Sequence, residues 1–352
     1  MPSIAASRPA DAMVAGPDLY TIVVGREAMG CRFEVVFNAG EVAEATELGC
    51  EALDLVDEIE ARISVYRETS EFAAINAAAG QWVAVSAETY AVLELARRLH
   101  AQTDGAFDVA AGSLVRAWGF LRRQGRTPAG DELAVALARS GTRWLELDPE
   151  GYRARLTAQG AELNPGGIGK GWAIDRAVEH LAAAGVPSCL VHGGQSSVRA
   201  MGIQGPAVPG RSGWKVGLRH PLRPGRRLAT ITLIDRALGT SGSGTQFFVE
   251  RGRRLGHILD PRTGHPAEGV ITATVLAPTA AEADALATAA YVLGEAGLPQ
   301  IATPGSEVAA MLVLPNPTGG LRVVLANLDD TTVMFEPEPG LTVTQIKTHG
   351  DI

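Results

Sequence analysis

The chain has 352 residues, with 31 Lys and Arg against 39 Asp and Glu, which gives a formal net charge of −8. Such a chain lacks the general basic face on which binding to nucleic-acid phosphates or anionic lipid depends. The hydrophobic fraction of 46% excludes disorder over most of the chain, and the length suits one large domain or about two ordinary ones.

The N-terminal 18 residues differ in composition from the rest of the chain. They are rich in Ala and Pro, are interrupted by Arg8 and Asp11, and lack the apolar core of about 7–15 residues that a signal peptide needs. This pattern predicts a disordered lead-in. No run reaches the ~18 apolar residues of a membrane helix. The printed sequence therefore predicts a cytoplasmic protein, whereas a truncated start would leave a periplasmic or membrane-anchored protein open.

The first predicted elements follow from hydrophobic periodicity. Residues 32–38 alternate as a strand does, and residues 41–63 have the three-to-four spacing of an amphipathic helix. Residues 86–99 predict a second helix, with Ser86 as its N-cap and Glu88 in its first turn.

The rest of the chain mixes helices and strands. Further helices are predicted at residues 131–139, 171–184 and 280–293. Strands are predicted at residues 189–191, 214–218, 228–233, 237–240, 247–250, 272–276, 307–314 and 321–325. Because the two types do not alternate as regular βαβ units, the pattern favours an α+β or complex α/β architecture.

A glycine-rich turn, NPGGIGKGWAID, opens the helix predicted at residues 171–184. Glycines allow close backbone approach, and a helix N-terminus beside Lys170 can bind a phosphate or another anion. The turn is not a Walker A loop, because Gly171 follows the lysine where Ser or Thr is required. A tight strand-to-helix turn and an anion site both remain open.

Asp284 and Thr288 lie four residues apart on the predicted helix 280–293, and so share one face. The other residues of that helix are mainly Ala, Leu and Val, so the carboxylate should be buried and in need of a partner. A carboxylate and a hydroxyl suit Mg²⁺. The alternatives are a hydrogen-bonded pair and a polar face that meets solvent.

Two further turns carry polar side chains. His257 precedes the turn DPRTGHP, where it is either a titratable group at a strand end or a structural histidine. Asp108 in TDGAFD either caps the following helical stretch or contacts a ligand.

Eight segments, in order between Met29 and Gly294, resemble the ApbE family of FAD:protein FMN transferases. They are AMGCRFEV, SVYRETSEFAAIN, DGAFDVAAGSLVRAWGF, GGIGKGWAIDRAVEHL, LVHGGQ, GTSGSG, GHILDPRTGHP and EADALATAAYVLG. The resemblance implies an α/β (α+β) fold with T-fold-like, pseudo-duplicated halves around a central FAD cleft. It also implies one domain at residues 19–340, which leaves residues 341–352 as a tail.

The activity implied by this resemblance is Mg²⁺-dependent transfer of FMN from FAD to a Thr or Ser hydroxyl of a partner flavoprotein, with release of AMP. By motif match, the implied FAD contacts are Met29, Tyr66, Ala106, Phe107, Asp108, Asn164, Lys170 and His257. The implied metal ligands are the Gly167 carbonyl, Asp284 and Thr288.

The residue chemistry agrees with this implied activity. Phosphoryl transfer relies on positioning and charge neutralisation, which Asp284 with its metal and Lys170 would supply. The incoming hydroxyl needs a base, for which His257 is the candidate, with Asp260 as the group that orients it. Met29, Tyr66 and Phe107 would form an apolar wall around the flavin ring.

Three segments depart from the family pattern. Asn164-Pro165 stands where Asp-Leu is usual, Gln195-Ser196-Ser197 follows the glycine pair of LVHGGQ, and Ser243-Gly244 replaces an aromatic position. Two alternatives therefore stand beside the transferase: an Mg²⁺-dependent FAD pyrophosphatase that yields FMN and AMP, and a non-catalytic FAD-binding protein.

Overall fold

The computed structural model describes residues 20–78, 80–205, 213–223, 225–242, 244 and 246–346. The predicted lead-in at residues 1–18 lies outside the described residues. The helices are α1 Ala45–Ile63, α2 Glu71–Ala77, α3 Ala87–Gln102, α4 Gly112–Ala117, α5 Gly130–Arg139, α6 Gly169–Ala183, α7 Ala280–Leu293 and α8 Leu298–Ile301. The five helices predicted from periodicity or capping are confirmed as α1, α3, α5, α6 and α7. Ser86 caps α3 by accepting a hydrogen bond from the Thr89 amide.

The strands include every strand predicted from the sequence. They are β1 Thr21–Ala28, β2 Cys31–Asn38, β3 Val83–Ala84, β4 Leu145–Asp148, β5 Arg153–Leu156, β6 Cys189–Gly193, β7 Ser197–Met201, β8 Trp214–Arg219, β9 Arg227–Leu233, β10 Ala237–Gly242, β11 Phe247–Glu250, β12 Arg253–Gly256, β13 Thr272–Ala277, β14 Ala309–Pro315, β15 Leu321–Ala326, β16 Val333–Phe335 and β17 Thr342–Gln345.

A nine-stranded sheet with the order β1-β2-β6-β7-β10-β13-β14-β15-β17 forms the centre of the fold. Its neighbours pair antiparallel, except that β17 runs parallel to β15. The last strand lies in the segment 341–352 that the sequence analysis separated as a tail. Its four side chains are exposed, so the strand is held by backbone pairing and carries no hydrophobic pattern.

The large sheet separates two apolar layers. Along β14, Ala310 and Leu312 face the core beneath α1, α6 and α7, whereas Met311 and Val313 face the opposite layer. In that second layer the three-stranded sheet β16-β9-β8 packs through residues such as Trp214. Helices on one face of a mainly antiparallel sheet form an α+β arrangement.

Helices α6 and α7 approach each other closely at Gly171. A Cβ atom at this position would lie 2.1 Å from the Ala280 carbonyl oxygen, a distance that no side chain can occupy. Glycine is therefore required for the backbones to meet. The contact brings the start of α6 against the start of α7. Within the described ranges, no helix is long and apolar enough to cross a bilayer.

Candidate functional site

The buried carboxylate of Asp284 lies at the junction of α6, α7 and β7. Its Oδ1 accepts a 2.5 Å hydrogen bond from the Ser197 hydroxyl, and its Oδ2 accepts a 2.9 Å bond from the Gly171 amide. Burial raises the pKa of Asp284, while the Lys170 ammonium and the two hydrogen bonds act in the opposite direction. This α7 carboxylate therefore has polar partners on both α6 and β7.

Thr288 lies one helical turn beyond Asp284. Its hydroxyl donates to the Asp284 carbonyl at 3.2 Å and is 3.1 Å from the Ser241 hydroxyl on β10. A Cβ atom placed on Gly167 would lie 3.4 Å from the Thr288 hydroxyl oxygen and 3.2 Å from the Phe107 ring. The structure thus brings the Gly167 turn directly against Thr288.

These donors fit a hard divalent cation. A carboxylate, a threonine hydroxyl and a backbone carbonyl are the oxygen ligands that Mg²⁺ prefers. A side chain at position 167 would begin against the Thr288 hydroxyl, so glycine keeps the space beside this hydroxyl free of side-chain atoms. Among the residues that the structure describes, no group of three or more His, Cys, Asp or Glu is placed to hold a metal ion. All the donors at Asp284, Thr288 and Gly167 are oxygens, the ligand type that suits Mg²⁺ better than metals that prefer nitrogen or sulfur.

Lys170 supplies positive charge at the start of α6. Its ammonium donates a hydrogen bond to the Ser196 hydroxyl. Its charge also opposes the raised pKa of Asp284 and contributes to the lowered pKa of His257. Lys170 therefore acts on both predicted catalytic side chains, and the helix N-terminus beside it adds positive potential for an anion.

His257 follows the end of β12, and its ring is held by the backbone. Its Nδ1 lies 3.0 Å from the Gln246 carbonyl oxygen. Because a carbonyl can only accept, Nδ1 carries the hydrogen and Nε2 of the neutral ring keeps its lone pair. Burial is the main cause of the lowered pKa of His257, and Lys170 adds to it. The ring is thus suited to accept a proton at neutral pH.

The prediction that Asp260 orients His257 is wrong. The Asp260 carboxylate accepts hydrogen bonds from the Arg262 guanidinium at 2.9 and 2.8 Å and from the Arg262 amide at 3.0 Å. The turn after β12 directs this carboxylate back onto its own chain. The Gln246 carbonyl, brought in by the β11–β12 hairpin, contacts the ring instead.

Asp108 uses its carboxylate inside the protein. Oδ1 accepts from the Ala110 amide at 2.8 Å and the Thr142 hydroxyl at 2.7 Å, while Oδ2 accepts from the Thr142 amide at 3.0 Å. Oδ2 also lies 3.2 Å from Nδ1 of His100. Burial alone would raise the pKa of Asp108, but the hydrogen bonds from His100 and Thr142 outweigh it and lower the pKa. The alternative in which Asp108 caps the following helix is wrong, because α4 has Ala111 at its N-cap and no side-chain cap. Asp108 instead ties its own loop to Thr142.

The remaining predicted flavin contacts occupy different depths. Ala106 and Phe107 are buried, and Phe107 lies beside Gly167. Met29 is half-buried in the turn between β1 and β2, where its amide donates to the Glu60 carboxylate at 2.9 Å. Tyr66 is 71% exposed, so its ring projects from the surface. The predicted wall therefore has one buried, one half-buried and one exposed member.

Asn164 shapes the start of the glycine turn. Its side-chain oxygen accepts a 2.8 Å hydrogen bond from the Gly166 amide, and its backbone amide donates to the Val109 carbonyl at 2.7 Å. A neutral amide oxygen therefore supplies the acceptor that fixes the turn. Asn164 thus fixes this turn without a charge.

Four residues of the site were not assigned from the sequence. Ser196, Ser197 and Ser241 contact Lys170, Asp284 and Thr288 respectively, and Gly171 donates its amide to Asp284. The segments LVHGGQ and GTSGSG drew attention to these regions. The contacts of the three serine hydroxyls could not be predicted, because their partners are distant in the sequence.

The fold and the site together define an α+β protein in which a lysine at a helix start adjoins a buried carboxylate and a threonine hydroxyl. The chain belongs to the ApbE family, whose sequence profile matches residues 29–312. It is 35% identical to the FAD:protein FMN transferase of Treponema pallidum (strain Nichols), with 75% of this chain and 76% of that protein aligned. With the FAD:protein FMN transferase of Vibrio cholerae O395 the identity is 32%, over 72% of this chain and 75% of the relative.

Solved structures show the same architecture. The ApbE protein of Thermotoga maritima superposes with a TM-score of 0.76 at 30% identity, covering 86% of this chain and 96% of that one. The apo flavinyl transferase ApbE of Pseudomonas stutzeri gives a TM-score of 0.76 at 27% identity, covering 89% and 97%. The predicted α+β fold and the family resemblance are therefore confirmed.

Proposed function

We propose that this protein transfers FMN from FAD to a Thr or Ser hydroxyl of a partner flavoprotein and releases AMP, with Mg²⁺ as the metal. One observation carries the proposal. The Gly167 turn and Lys170, at the start of α6, lie beside Thr288 and Asp284 of α7 in a chain of the ApbE family. The named transferase activity of the relatives supports it.

At phosphorus, the proposed reaction forms one bond and breaks one. The acceptor oxygen attacks the phosphorus on the FMN side of the FAD pyrophosphate, and the bond from that phosphorus to the bridging oxygen breaks. AMP departs with the bridging oxygen and its electron pair. Nε2 of neutral His257 accepts the proton of the hydroxyl. The Lys170 ammonium holds a phosphate oxygen in place, and the positive end of the α6 dipole adds to its attraction.

Mg²⁺ would be held by the Gly167 carbonyl, Asp284 and Thr288. When bound, it supplies Lewis-acid neutralisation of phosphate charge. Ser197 and the Gly171 amide fix the Asp284 carboxylate, and Ser241 fixes the Thr288 hydroxyl. Such partners hold ligand oxygens in the orientation that a cation requires.

The alternative functions use the same site. In a pyrophosphatase, water replaces the protein hydroxyl, so no residue of the site distinguishes the two reactions. The alternative of a non-catalytic FAD-binding protein rests on Asn164 and on the segment after Gly194. In the structure, however, Asn164 fixes the glycine turn, and Ser196 and Ser197 bind Lys170 and Asp284. These roles support a complete catalytic site.

One experiment separates the three functions. The full chain is incubated with FAD and Mg²⁺, with and without a flavoprotein that carries an acceptor threonine. AMP release and covalent flavin fluorescence on the acceptor are followed. Transfer predicts acceptor-bound flavin that EDTA abolishes. Free FMN without labelling would identify a pyrophosphatase, and intact FAD would identify a binding protein.

Two matched variants test the metal assignment. Asp284→Asn keeps the side-chain volume but removes the charge, so Mg²⁺-dependent AMP release should fall at least about a hundredfold, as expected when a phosphate-bound metal is lost. Asp131→Asn makes the same change at an exposed position on α5 and should leave AMP release unchanged. Wild-type turnover by Asp284→Asn would contradict the assignment.

A further inference from the structure

Two buried carboxylates bind α6 and α7 to each other in a reciprocal arrangement. Asp284 on α7 accepts from the Gly171 amide of α6 at 2.9 Å. Asp175 on α6 accepts from the Ala280 and Ala281 amides of α7 at 2.8 and 2.9 Å. On each helix the donor and the carboxylate lie about one turn apart. Each helix therefore holds the other through a backbone donor.

Strand β7 completes the arrangement. Ser197 donates to Asp284 at 2.5 Å, and Arg199 donates to Asp175 at 2.7 Å. The two side chains are two residues apart on one strand, so they point to the same face. Asp175 is 2% exposed, and its three donors come from α7 and β7. The α6–α7 register is thus fixed by two polar anchors, only one of which belongs to the proposed metal site.

We propose that Asp175 is a positioning residue for the transfer reaction, because it sets the register of α7 against α6. This register places Asp284 and Thr288 of α7 opposite the Gly167 turn and Lys170. The inference rests on the proposed function. Asp175 itself contacts backbone amides and Arg199, and it acts on the reacting groups only through α7.

The start of α7 does not depend on Asp175 alone. Thr279 accepts from the Glu282 amide at 3.3 Å and donates to the Glu282 carboxylate at 3.0 Å. This N-cap satisfies a further amide of the first turn without Asp175. Burying a charged pair adds little net stability compared with apolar packing. The function of Asp175 is therefore better explained by the fixed placement of α7 than by initiation of the helix.

Cation affinity measured without FAD or acceptor tests the proposal. Mn²⁺ is titrated into the full chain and followed by electron paramagnetic resonance, with Mg²⁺ added as competitor. Asp175→Asn keeps the side-chain volume but directs an NH₂ group toward its donors. Mn²⁺ affinity should fall at least about tenfold, the usual loss when a residue that orients a metal ligand is changed. The KM for Mg²⁺ in AMP release should rise in parallel.

Thr279→Ala is the matched control at the same helix start. It removes the other cap and should lower the Tm while leaving Mn²⁺ affinity within about twofold of wild type. Equal Mn²⁺ affinity in Asp175→Asn and wild type would overturn the proposal. So would an equal loss of affinity in both variants, since the effect would then follow from destabilisation.

A second variant tests the proposal if Asp175→Asn folds poorly. Arg199→Lys keeps the charge beside Asp175 but loses the planar guanidinium, and should weaken Mn²⁺ binding several-fold. Wild-type affinity in this variant would then count against the proposal. Failure of the proposed function is distinguishable, because it would leave wild-type Mn²⁺ binding intact while no flavin became covalently attached to the acceptor. A wild-type chain that binds no Mn²⁺ would overturn the positioning role itself.

Discussion

The hydroxyl of Ser197 donates a 2.5 Å hydrogen bond to the buried carboxylate of Asp284 across 87 positions of sequence. This bond and the Gly171 amide both favour the ionised carboxylate, whose pKa is raised by burial. Removing the hydroxyl would leave the charge with one hydrogen-bond donor fewer.

Ser197→Ala should lower the free energy of unfolding by about 1.5–3 kcal/mol, because a hydrogen bond to a charged group is lost in a buried place. It should also raise the KM for Mg²⁺ in AMP release. Urea unfolding and steady-state kinetics measure the two effects. Ser70→Ala, which removes the N-cap of α2, should destabilise the protein without changing that KM. An unchanged KM in Ser197→Ala would contradict the role of the hydroxyl.

His257 should control the acid limb of the pH–rate profile. Burial lowers its pKa below the ordinary value of about 6.5, so the ring is neutral at pH 7 and becomes protonated only in more acidic solution. Transfer should therefore fall as the pH drops through this lowered pKa. His257→Gln should reduce the rate by about 10²–10⁴-fold and remove the acid limb. His265→Gln, in the neighbouring turn, should keep the wild-type profile. An acid limb that persists in His257→Gln would exclude His257 as the base.

His100 should make stability depend on pH. Its pKa is raised, chiefly by the hydrogen bond to Asp108, so protonation favours the folded state. The pair's contribution to the free energy of unfolding is complete below about pH 6.5, the pKa of histidine in the unfolded chain. It is lost as the pH rises through the higher pKa of His100 in the folded protein. At pH 5.5, His100→Gln should be less stable than wild type by about 1 kcal/mol, a value reduced by partial exposure. At high pH the difference should shrink.

Denaturant unfolding at pH 5.5 and 8.5 measures this difference. His180→Gln is the control, because His180 pairs with Glu51 at 3.0 Å on the surface, where such pairs contribute little. If His100→Gln lost the same stability at both pH values, the protonated pair would not be its cause.

Gly171→Ala should separate α6 from α7. The added Cβ would lie 2.1 Å from the Ala280 carbonyl oxygen, and this oxygen belongs to backbone that cannot rotate away. We expect a loss of about 1–3 kcal/mol in unfolding free energy and weaker Mg²⁺ binding. Gly130→Ala at the start of α5 meets nothing within 4 Å and should change stability by less than about 1 kcal/mol. Equal stability of the two variants would contradict the close approach of α6 and α7.

Periodicity and capping predicted the elements that carry the site. The apolar helix 280–293 was placed with its bounds, and the four-residue spacing put Asp284 and Thr288 on one face. The signal was strong because burial dictates the composition of nearly every position in α7. Strand 272–276, which packs beneath it, was predicted for the same reason.

The partners of these residues could not be predicted in the same way. Ser197 contacts Asp284 because α7 packs across β10 and its neighbour β7, and this packing is a property of the whole fold. Proximity in sequence misled at Asp260, which lies three residues from His257 but pairs with Arg262. The actual partner of the His257 ring is the backbone carbonyl of Gln246. Any residue at position 246 would supply such a carbonyl, so residue type cannot predict the contact.

The parallel pairing of β17 with β15 has a consequence for any shortened form of this protein. Strand β15 is largely apolar and buried, whereas β17 exposes its side chains to solvent along the outer edge of the sheet. A chain cut at residue 340 would leave the amide and carbonyl groups of β15 without this cover. An uncovered apolar edge is a template for pairing with other chains. Such a truncation would therefore promote aggregation, even though every residue of the candidate site remains.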